Sequence, residues 1–253
     1  MNALVILLLI FVLLMLLVAG KDGLKNLIGL GLNFLMIFIL ITVMAWGFPI
    51  LIVLPILSFA IMAFSIFMST PDEKTASTAF KSSSIVLAGL MFLAVLIQYI
   101  GQFQGFVKED AEALEALSAD IGINFSNIVI AVFIISLLGA VAEAAMAIVT
   151  NLNEVIEQDE LMTSVQFKNQ RRIISQQIIG TAVNTLFFGM LGSSLGLILW
   201  YIRLHFTVAE ILNSKLLLME LATMLLGLLG ILLVIELAGY FVEKDFLKSE
   251  EVL

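Results

Sequence analysis

The chain has 253 residues, of which 62% are apolar and 13% charged, with a mean hydropathy of +1.16. Soluble domains are about 45–50% apolar and about 25% charged, so this composition predicts a polytopic membrane protein. The formal net charge of −8 argues against a nucleic-acid partner. One histidine and no cysteine exclude zinc fingers, iron–sulfur clusters, disulfides and a cysteine nucleophile. We expect no cofactor and no metal.

Seven apolar stretches are long enough to cross a bilayer, because a helix rises about 1.5 Å per residue and the hydrocarbon core is about 30 Å thick. They are Ala3–Ala19, Leu27–Trp46, Pro49–Met68, Ile85–Phe106, Asn127–Thr150, Ile178–Tyr201 and Leu217–Val242. The first lacks the basic start and cleavage site of a signal peptide, so it is interpreted as a span. The prediction is an all-α polytopic membrane helix bundle, a single transmembrane domain over residues 1–253 with no soluble domain.

The basic residues predict how these spans are oriented. Nine of the 12 Lys and Arg residues fall in connections on one side, and three fall on the other. This asymmetry predicts an N-terminus outside and a C-terminus in the cytoplasm. Between spans two and three, Gly47 and a proline at the first helical position, Pro49, predict a tight hairpin.

Three acidic residues lie within predicted spans: Glu143, Glu220 and Glu236. A charged group at the bilayer centre costs at least about 2.5–3.5 kcal/mol, so each position needs a reason. Glu220 is one turn from the outer end of span seven, where its side chain can reach the headgroups. Glu143 and Glu236 lie deeper, each about 10 Å from the inner end of its span at helical rise.

Glu143 shares one helix face with small and polar residues at spacings of three and four: Gly139, Ala147, Thr150 and Asn151. Such a face lets another helix approach closely. Two interpretations stay open, a close-packed helix crossing and a proton- or cation-handling site.

Span six carries a complementary stripe, in which Gln177, Thr181, Asn184 and Thr185 share a face. Hydrogen bonds on such a face are met inside the protein, either between helices or along a hydrated path. Candidate residues of an ion or substrate path are therefore Glu143, Thr181, Asn184, Thr185, Gln177, Ser193 and Glu236. Candidate helix-packing residues are Gly139, Ala147, Gly192 and Gly196, the last two forming a GxxxG pair.

Two polar connections are long enough to form structure of their own. In Asn151–Gln177 the apolar positions predict that span five continues as an amphipathic helix, either solvated or docking a partner subunit. The acidic run Glu109–Asp120 is predicted to form a surface helix on the outer side.

Two segments resemble motifs of the YibE/F family of bacterial multi-spanning membrane proteins. Gly139–Ile148 (GAVAEAAMAI) is similar to the family's GAVMDVAMSI, and Ile178–Leu186 (IIGTAVNTL) is similar to its IMGTMTNTL. Gly192–Leu195 and Gly20–Leu24 resemble its GSSL and GKRGL segments. The length resembles that of the shorter, YibF-type member.

The resemblance implies a permease-like protein of the bacterial cytoplasmic (inner) membrane, working as a homo-oligomer or in complex with a longer YibE-type membrane protein. Glu143 takes the place of the family's Asp and keeps a carboxylate. Gln177 stands where the motif has Asp, and Ala147 stands where it has Ser. A metal site built from several carboxylates is therefore not expected.

The leading hypothesis is a permease-like transport subunit that moves an ion or small solute using a gradient, with Glu143 as the proton- or cation-linked carboxyl. The alternative is a non-transporting assembly or regulatory membrane subunit that binds a larger YibE-type partner. An intramembrane enzyme is disfavoured, because neither His205 nor the separated acids supply a nucleophile–base pair or a metal site.

Overall fold

The computed structural model describes residues 3–103, 125–159 and 162–250, and within them the regular secondary structure is helical, without strands. The helices are α1 (Ala3–Ala45), α2 (Ile50–Ser69), α3 (Glu73–Gly101), α4 (Phe125–Gln158), α5 (Ser164–Arg203), α6 (Val208–Leu212) and α7 (Lys215–Glu250). The all-α fold predicted from composition is confirmed. The outer helix predicted at Glu109–Asp120 lies outside the described residues.

Six helices in the described part of the chain, all except α6, are long and apolar enough to cross a membrane. Helices α4, α5 and α7 each contain one predicted span, and α2 contains the predicted third span from Ile50 onward. Helix α3 ends at Gly101, short of the predicted end of span four at Phe106, and residues 104–106 lie outside the described part of the chain. Helix α1 contains the first two, because its 43 residues measure about 64 Å at helical rise, twice the thickness of a hydrocarbon core. The prediction of about seven spans agrees with this arrangement once α1 is counted twice.

Gly20 divides α1 into its two spans. Its backbone angles, φ 56° and ψ −125°, lie in a region that glycine enters readily and residues with side chains avoid. Met15 and Gly23 would be about 12 Å apart along a straight helix. A Cβ built on Gly23 would instead lie 2.3 Å from the carbonyl oxygen of Met15. The chain therefore turns sharply at Gly20.

The connection from α1 to α2 is the predicted tight hairpin. Gly47 adopts φ 77°, which allows the chain to reverse within four residues. Helix α2 begins at Ile50, one residue later than predicted. Pro49 is therefore its N-cap and not its first helical residue. Pro55 lies inside α2, which runs on to Ser69.

Helix α4 lies at the centre of the bundle and contacts α2, α3, α5 and α7. Its fully buried side chains are mostly large and apolar, as expected for a helix surrounded by others. They include Phe133, Leu137, Val141, Ala145, Ile148 and Val149. One stripe of α4 stays exposed, with Val132, Ser136, Gly139 and Glu143 spaced by four, three and four residues.

Two glycines of α7 set its register against the neighbouring helices. A Cβ on Gly230 would lie 2.8 Å from both Leu90 Cδ1 on α3 and Val141 Cγ2 on α4. A Cβ on Gly227 would lie 3.2 Å from Leu186 Cδ1 on α5. Side chains at these positions would push the helices apart, so glycine permits the close crossing.

Contacts between side chains identify the helix ends that lie together. At one end, Asn153 Nδ2 donates to Thr75 Oγ1 over 2.7 Å, and the rings of Phe167 and Phe246 stack with centroids 5.0 Å apart. We call this the basic end, because it carries Lys74, Lys168, Arg171, Arg172, Lys244 and Lys248. At the other end, Lys215 Nζ donates to the carbonyl oxygen of Gln102 over 3.1 Å. The assignment of the basic end to the cytoplasm stays a prediction.

Most of the described part of segment Asn151–Gln177 is helical. Helix α4 continues to Gln158, as the apolar pattern predicted. Helix α5 begins at Ser164 behind a capping box, in which Gln166 Oε1 accepts from the backbone N–H of Thr163 over 2.9 Å and Thr163 Oγ1 accepts from that of Gln166 over 3.4 Å. With 34 and 40 residues, both helices are longer than the about 20 residues that one membrane crossing needs.

The N-terminus of α3, also at the basic end, is capped by Asp72. Its carboxylate accepts from the backbone N–H groups of Lys74 and Thr75 over 3.2 and 3.0 Å. Hydrogen bonds with Thr75 lower the pKa of Asp72 below its usual value. The cap therefore stays charged at neutral pH, and its contribution to stability falls as the pH drops through that lowered pKa.

Candidate ion or substrate path

A groove of about 280 Å³ lies between α4 and α5, with Ile231 of α7 contributing to its wall. We call it the α4–α5 groove. Four of the predicted path residues line it together: Glu143, Gln177, Thr181 and Thr185. Helical spacing places them on facing surfaces, because Gln177, Thr181 and Thr185 follow one another at intervals of four along α5.

The carboxylate of Glu143 is the charged group of this groove. The side chain is exposed on the open stripe of α4, and its helix neighbours Ala140, Ala144 and Ala147 are too small to cover it. No ion pair or hydrogen bond joins Glu143 to another residue in the described part of the chain. Within the described part of the chain, both carboxylate oxygens of Glu143 are therefore free of protein partners.

The hydroxyl groups on α5 face the groove as acceptors. Thr181 Oγ1 donates its hydrogen to the carbonyl oxygen of Gln177 over 2.9 Å, and Thr185 Oγ1 donates to that of Thr181 over 3.0 Å. Because each hydroxyl has one hydrogen and two lone pairs, its remaining capacity is for accepting. Together with the carboxylate, these oxygens suit a cation or a hydrogen-bond donor.

Glu143 and Thr181 lie at the same depth. The contacts of α7 at Gly227 and Gly230 fix how α4 and α5 are aligned. Glu143 lies two residues after Val141, which contacts Gly230, and Thr181 lies five residues before Leu186, which contacts Gly227. At the rise of a helix, these offsets place Glu143 and Thr181 at the same level. The two side chains therefore face the same section of the groove.

A second groove, of about 550 Å³, lies between α2 and α4. We call it the α2–α4 groove. Its polar lining comes from Ser65, Ser69, Thr150 and Asn151, and it also contains Glu143 and Ala147. Since those last two residues line both grooves, Glu143 stands where the two meet.

The structure places three predicted path residues elsewhere. Asn184 and Ser193 are exposed on α5 outside both grooves, and Ser193 Oγ donates to the carbonyl oxygen of Met190 over 3.0 Å. Glu236, on α7, forms an ion pair with Arg171 of α5: Arg171 Nη2 lies 2.7 Å from Glu236 Oε2. These three residues do not join Glu143.

Arg171 organises a cluster of charges at the basic end, which we call the Arg171 cluster. Its Nη1 lies 2.6 Å from Glu243 Oε2, and its Nη2 also donates to the backbone carbonyl of Glu236 over 3.0 Å. A Cβ on Gly239 would lie 2.6 Å from Arg171 Nε, so glycine makes room for the guanidinium. Lys168 Nζ lies 3.7 Å from Glu243 Oε1. The sequence reasoning missed this cluster, because it depends on the register between α5 and α7.

The predicted packing residues are open in the described structure. A Cβ on Gly139, Gly192 or Gly196 would meet nothing within 4 Å. Ala147 lines the two grooves and does not close them. Close helix contact is made instead at Gly227 and Gly230, whose three-residue spacing in span seven was the signal available in the sequence.

No group of three or more His, Cys, Asp or Glu residues within the described ranges could hold a metal ion. A single carboxylate with hydroxyl and amide oxygens is a weak ligand set for Mg²⁺ or Ca²⁺, which take six or more oxygens, several of them charged. The oxygens around Glu143 in the described residues are therefore fewer and less charged than the ligand sets that Mg²⁺ and Ca²⁺ take in proteins.

Comparison with known proteins decides the family. The sequence profile described as YibE/F-like protein matches residues 7–246. The chain belongs to the YibE/F-like family. No curated protein and no solved structure matches it. The two segments whose resemblance to the YibE/F family was noted, Gly139–Ile148 and Ile178–Leu186, form the two facing walls of the α4–α5 groove.

Proposed function

We propose that this protein is a permease-like membrane transport subunit that moves an ion or small solute, with the α4–α5 groove as part of its path. The observation that supports this proposal is the carboxylate of Glu143, which has no partner among the described residues, in a groove that also carries Gln177, Thr181 and Thr185. An unpaired carboxylate at this depth is costly. A residue needed only for helix packing has no reason to be acidic.

In this proposal Glu143 is the proton- or cation-linked group. A carboxylate is neutralised either by a proton or by a bound cation, so the two compete for one position. Thr181, Thr185 and Gln177 supply oxygen acceptors on the facing helix. The sequence has no phosphate-binding loop of the GxxxxGK[ST] type, so a gradient is the proposed energy source.

We also infer that the role is not enzymatic. The single histidine, His205, lies in the turn between α5 and α6, at the end opposite the basic end. The carboxylates of Glu236 and Glu243 are engaged by Arg171. Nothing near Glu143 in the described residues forms the nucleophile–base pair that hydrolysis needs.

The proposed setting is the bacterial cytoplasmic membrane, with a second copy or a longer YibE-type protein as partner. The open positions at Gly139, Gly192 and Gly196 support a partner, because small residues let a helix from another chain approach closely. The same observation favours the second candidate function, a non-transporting assembly or regulatory subunit. The two candidates differ in whether the charge of Glu143 is required.

The test is Glu143→Gln in proteoliposomes that contain a pH-sensitive dye. We expect this variant to fold and yet to lose the exchange of internal protons for added cations, because the amide keeps the shape of the side chain without its charge. Glu143→Asp keeps the carboxylate and should retain part of the flux. Glu220→Gln is the matched control, since Glu220 is a membrane acid outside both grooves.

Normal flux in Glu143→Gln at every pH would assign the groove to helix packing and favour the assembly-subunit function. Loss of flux in Glu220→Gln as well would mean that any acid in the bundle matters, and the groove would lose its special role.

A further inference from the structure

We infer that the two grooves joined at Glu143 bind a lipophilic organic cation, a molecule with an ammonium or similar onium group on an apolar body, which enters from the bilayer. This inference rests on the proposed function and names its class of substrate. It follows from the charge of the grooves, their hydrogen-bonding character, their walls and their opening.

The charge of the lining excludes anions. Among the described residues that line either groove, Glu143 carries the formal charge, and no Lys, Arg or His accompanies it. The guanidinium of Arg171, on the next turns of α5 toward the basic end, is already engaged by Glu236 and Glu243. A phosphate or carboxylate would meet a negative charge with no compensating cation, whereas a positive group would be attracted.

The hydrogen-bonding groups of the lining mostly accept. The hydroxyl hydrogens of Thr181 and Thr185 are used within α5, and Asn151 Nδ2 donates to the carbonyl oxygen of Ala147 over 2.7 Å. In the α2–α4 groove, Ser69 Oγ donates its hydrogen to the carbonyl oxygen of Ser65, while Ser65 Oγ accepts from Asn33 Nδ2 over 2.8 Å and keeps its own hydrogen to donate. A ligand rich in acceptors would find few donors, while an ammonium group would find several oxygens.

The walls are apolar around these few oxygens. Ala140, Ala144 and Ile231 line the α4–α5 groove, and Ile66 and Met146 line the α2–α4 groove. A small inorganic cation needs a shell of oxygens to replace its water, and the grooves offer few. An onium group carries its own apolar shell, so it loses less hydration and gains contact with these walls.

The size and the opening of the grooves fit such a molecule. Their volumes, about 280 and 550 Å³, are comparable to the roughly 300–1,000 Å³ of small-molecule sites. Glu143 is exposed on the side of the bundle, about 10 Å from the inner end of its span by helical rise. A ligand dissolved in the bilayer therefore reaches the carboxylate sideways, between α4 and α5.

The experiment measures equilibrium binding of tetraphenylphosphonium to the purified full chain in lipid nanodiscs. Tetraphenylborate, of the same shape and opposite charge, is the ligand control. We expect saturable binding of the cation and none of the anion. Glu143→Gln should weaken binding about tenfold or more, since the attraction between the phosphonium charge and the carboxylate is lost. Glu143→Asp should largely retain binding, which shows that the site is intact, and Glu220→Gln should bind as the wild type does.

Binding that is unchanged in Glu143→Gln, or equal for the phosphonium and the borate, would overturn the inference. If proton exchange for Na⁺ or K⁺ depends on Glu143 while tetraphenylphosphonium does not bind, the inference fails and the proposed function stands. If tetraphenylphosphonium binds at Glu143 and no flux is found, the proposed function fails and the site stands. Absence of binding, with a dimer that Ala147→Leu separates, would assign the grooves to a helix of a second copy.

Discussion

Two glutamates on neighbouring helices, Glu143 on α4 and Glu236 on α7, differ in what surrounds their carboxylates. The carboxylate and backbone carbonyl of Glu236 both contact Arg171, which also binds Glu243. Glu143 faces small side chains and hydroxyl oxygens, with no basic group in its grooves among the described residues. The two acids lie at similar depths in their predicted spans, so depth alone does not predict which of them is paired with a basic residue.

The charges that join α5 to α7 are paired with one another. The Arg171 cluster pairs each carboxylate with a guanidinium or ammonium and lies where α5 and α7 cross. The guanidinium and the carboxylate of Glu243 are 18% and 15% exposed, so this pair is largely shielded from water. An acid that lacks such a partner is then a candidate for binding something from outside the chain.

The largest effect on stability should come from Arg171→Met. Removing the guanidinium leaves the mostly buried Glu243 without its closest partner, which should cost about 3 kcal/mol of unfolding free energy. Unfolding in mixed detergent micelles, followed by circular dichroism, measures this change. Arg172→Met is the matched control, because the neighbouring side chain is exposed and makes no ion pair with the described residues. Equal stability of the two variants would remove the structural role of the cluster.

A smaller effect, on flux and not on stability, is expected from Thr181→Val. The substitution keeps the shape of the side chain and removes one oxygen acceptor opposite Glu143, so flux should fall about two- to tenfold. Asn184→Ala, one turn along α5 and outside both grooves, should leave flux near that of the wild type. A greater loss in Asn184→Ala than in Thr181→Val would move the path to the other face of α5.

A third comparison separates the glycines that pack from those that do not. Gly230→Ala places a methyl group 2.8 Å from Leu90 and Val141, and relaxation of those side chains should limit the cost to about 1–2 kcal/mol. Gly192→Ala meets open space and should be neutral, or stabilising by up to about 1 kcal/mol through helix propensity. Unfolding of both variants in monomeric detergent micelles checks this. A destabilised Gly192→Ala monomer would contradict the open face.

Much of the fold follows from the sequence, because length and hydropathy of a span need no knowledge of its neighbours. The α4–α5 groove was partly predictable for the same reason, since Gln177, Thr181 and Thr185 recur at one helical period. The pairing of Glu236 with Arg171 was not, because it depends on how α5 and α7 are aligned. The open surroundings of Gly192 and Gly196 were also beyond prediction, since a GxxxG pair does not state which helix it meets.

The turn at Gly20 has a consequence for how α1 can cross a membrane. A residue with a side chain would resist φ 56° and ψ −125° and would favour one unbroken rod of about 64 Å in place of two crossings. Such a rod exceeds the bilayer about twofold, so half of it would have to leave the hydrocarbon. Helix α1 would then supply one crossing in place of two. One hydrogen atom in place of a methyl group thus decides how often this helix can cross the membrane.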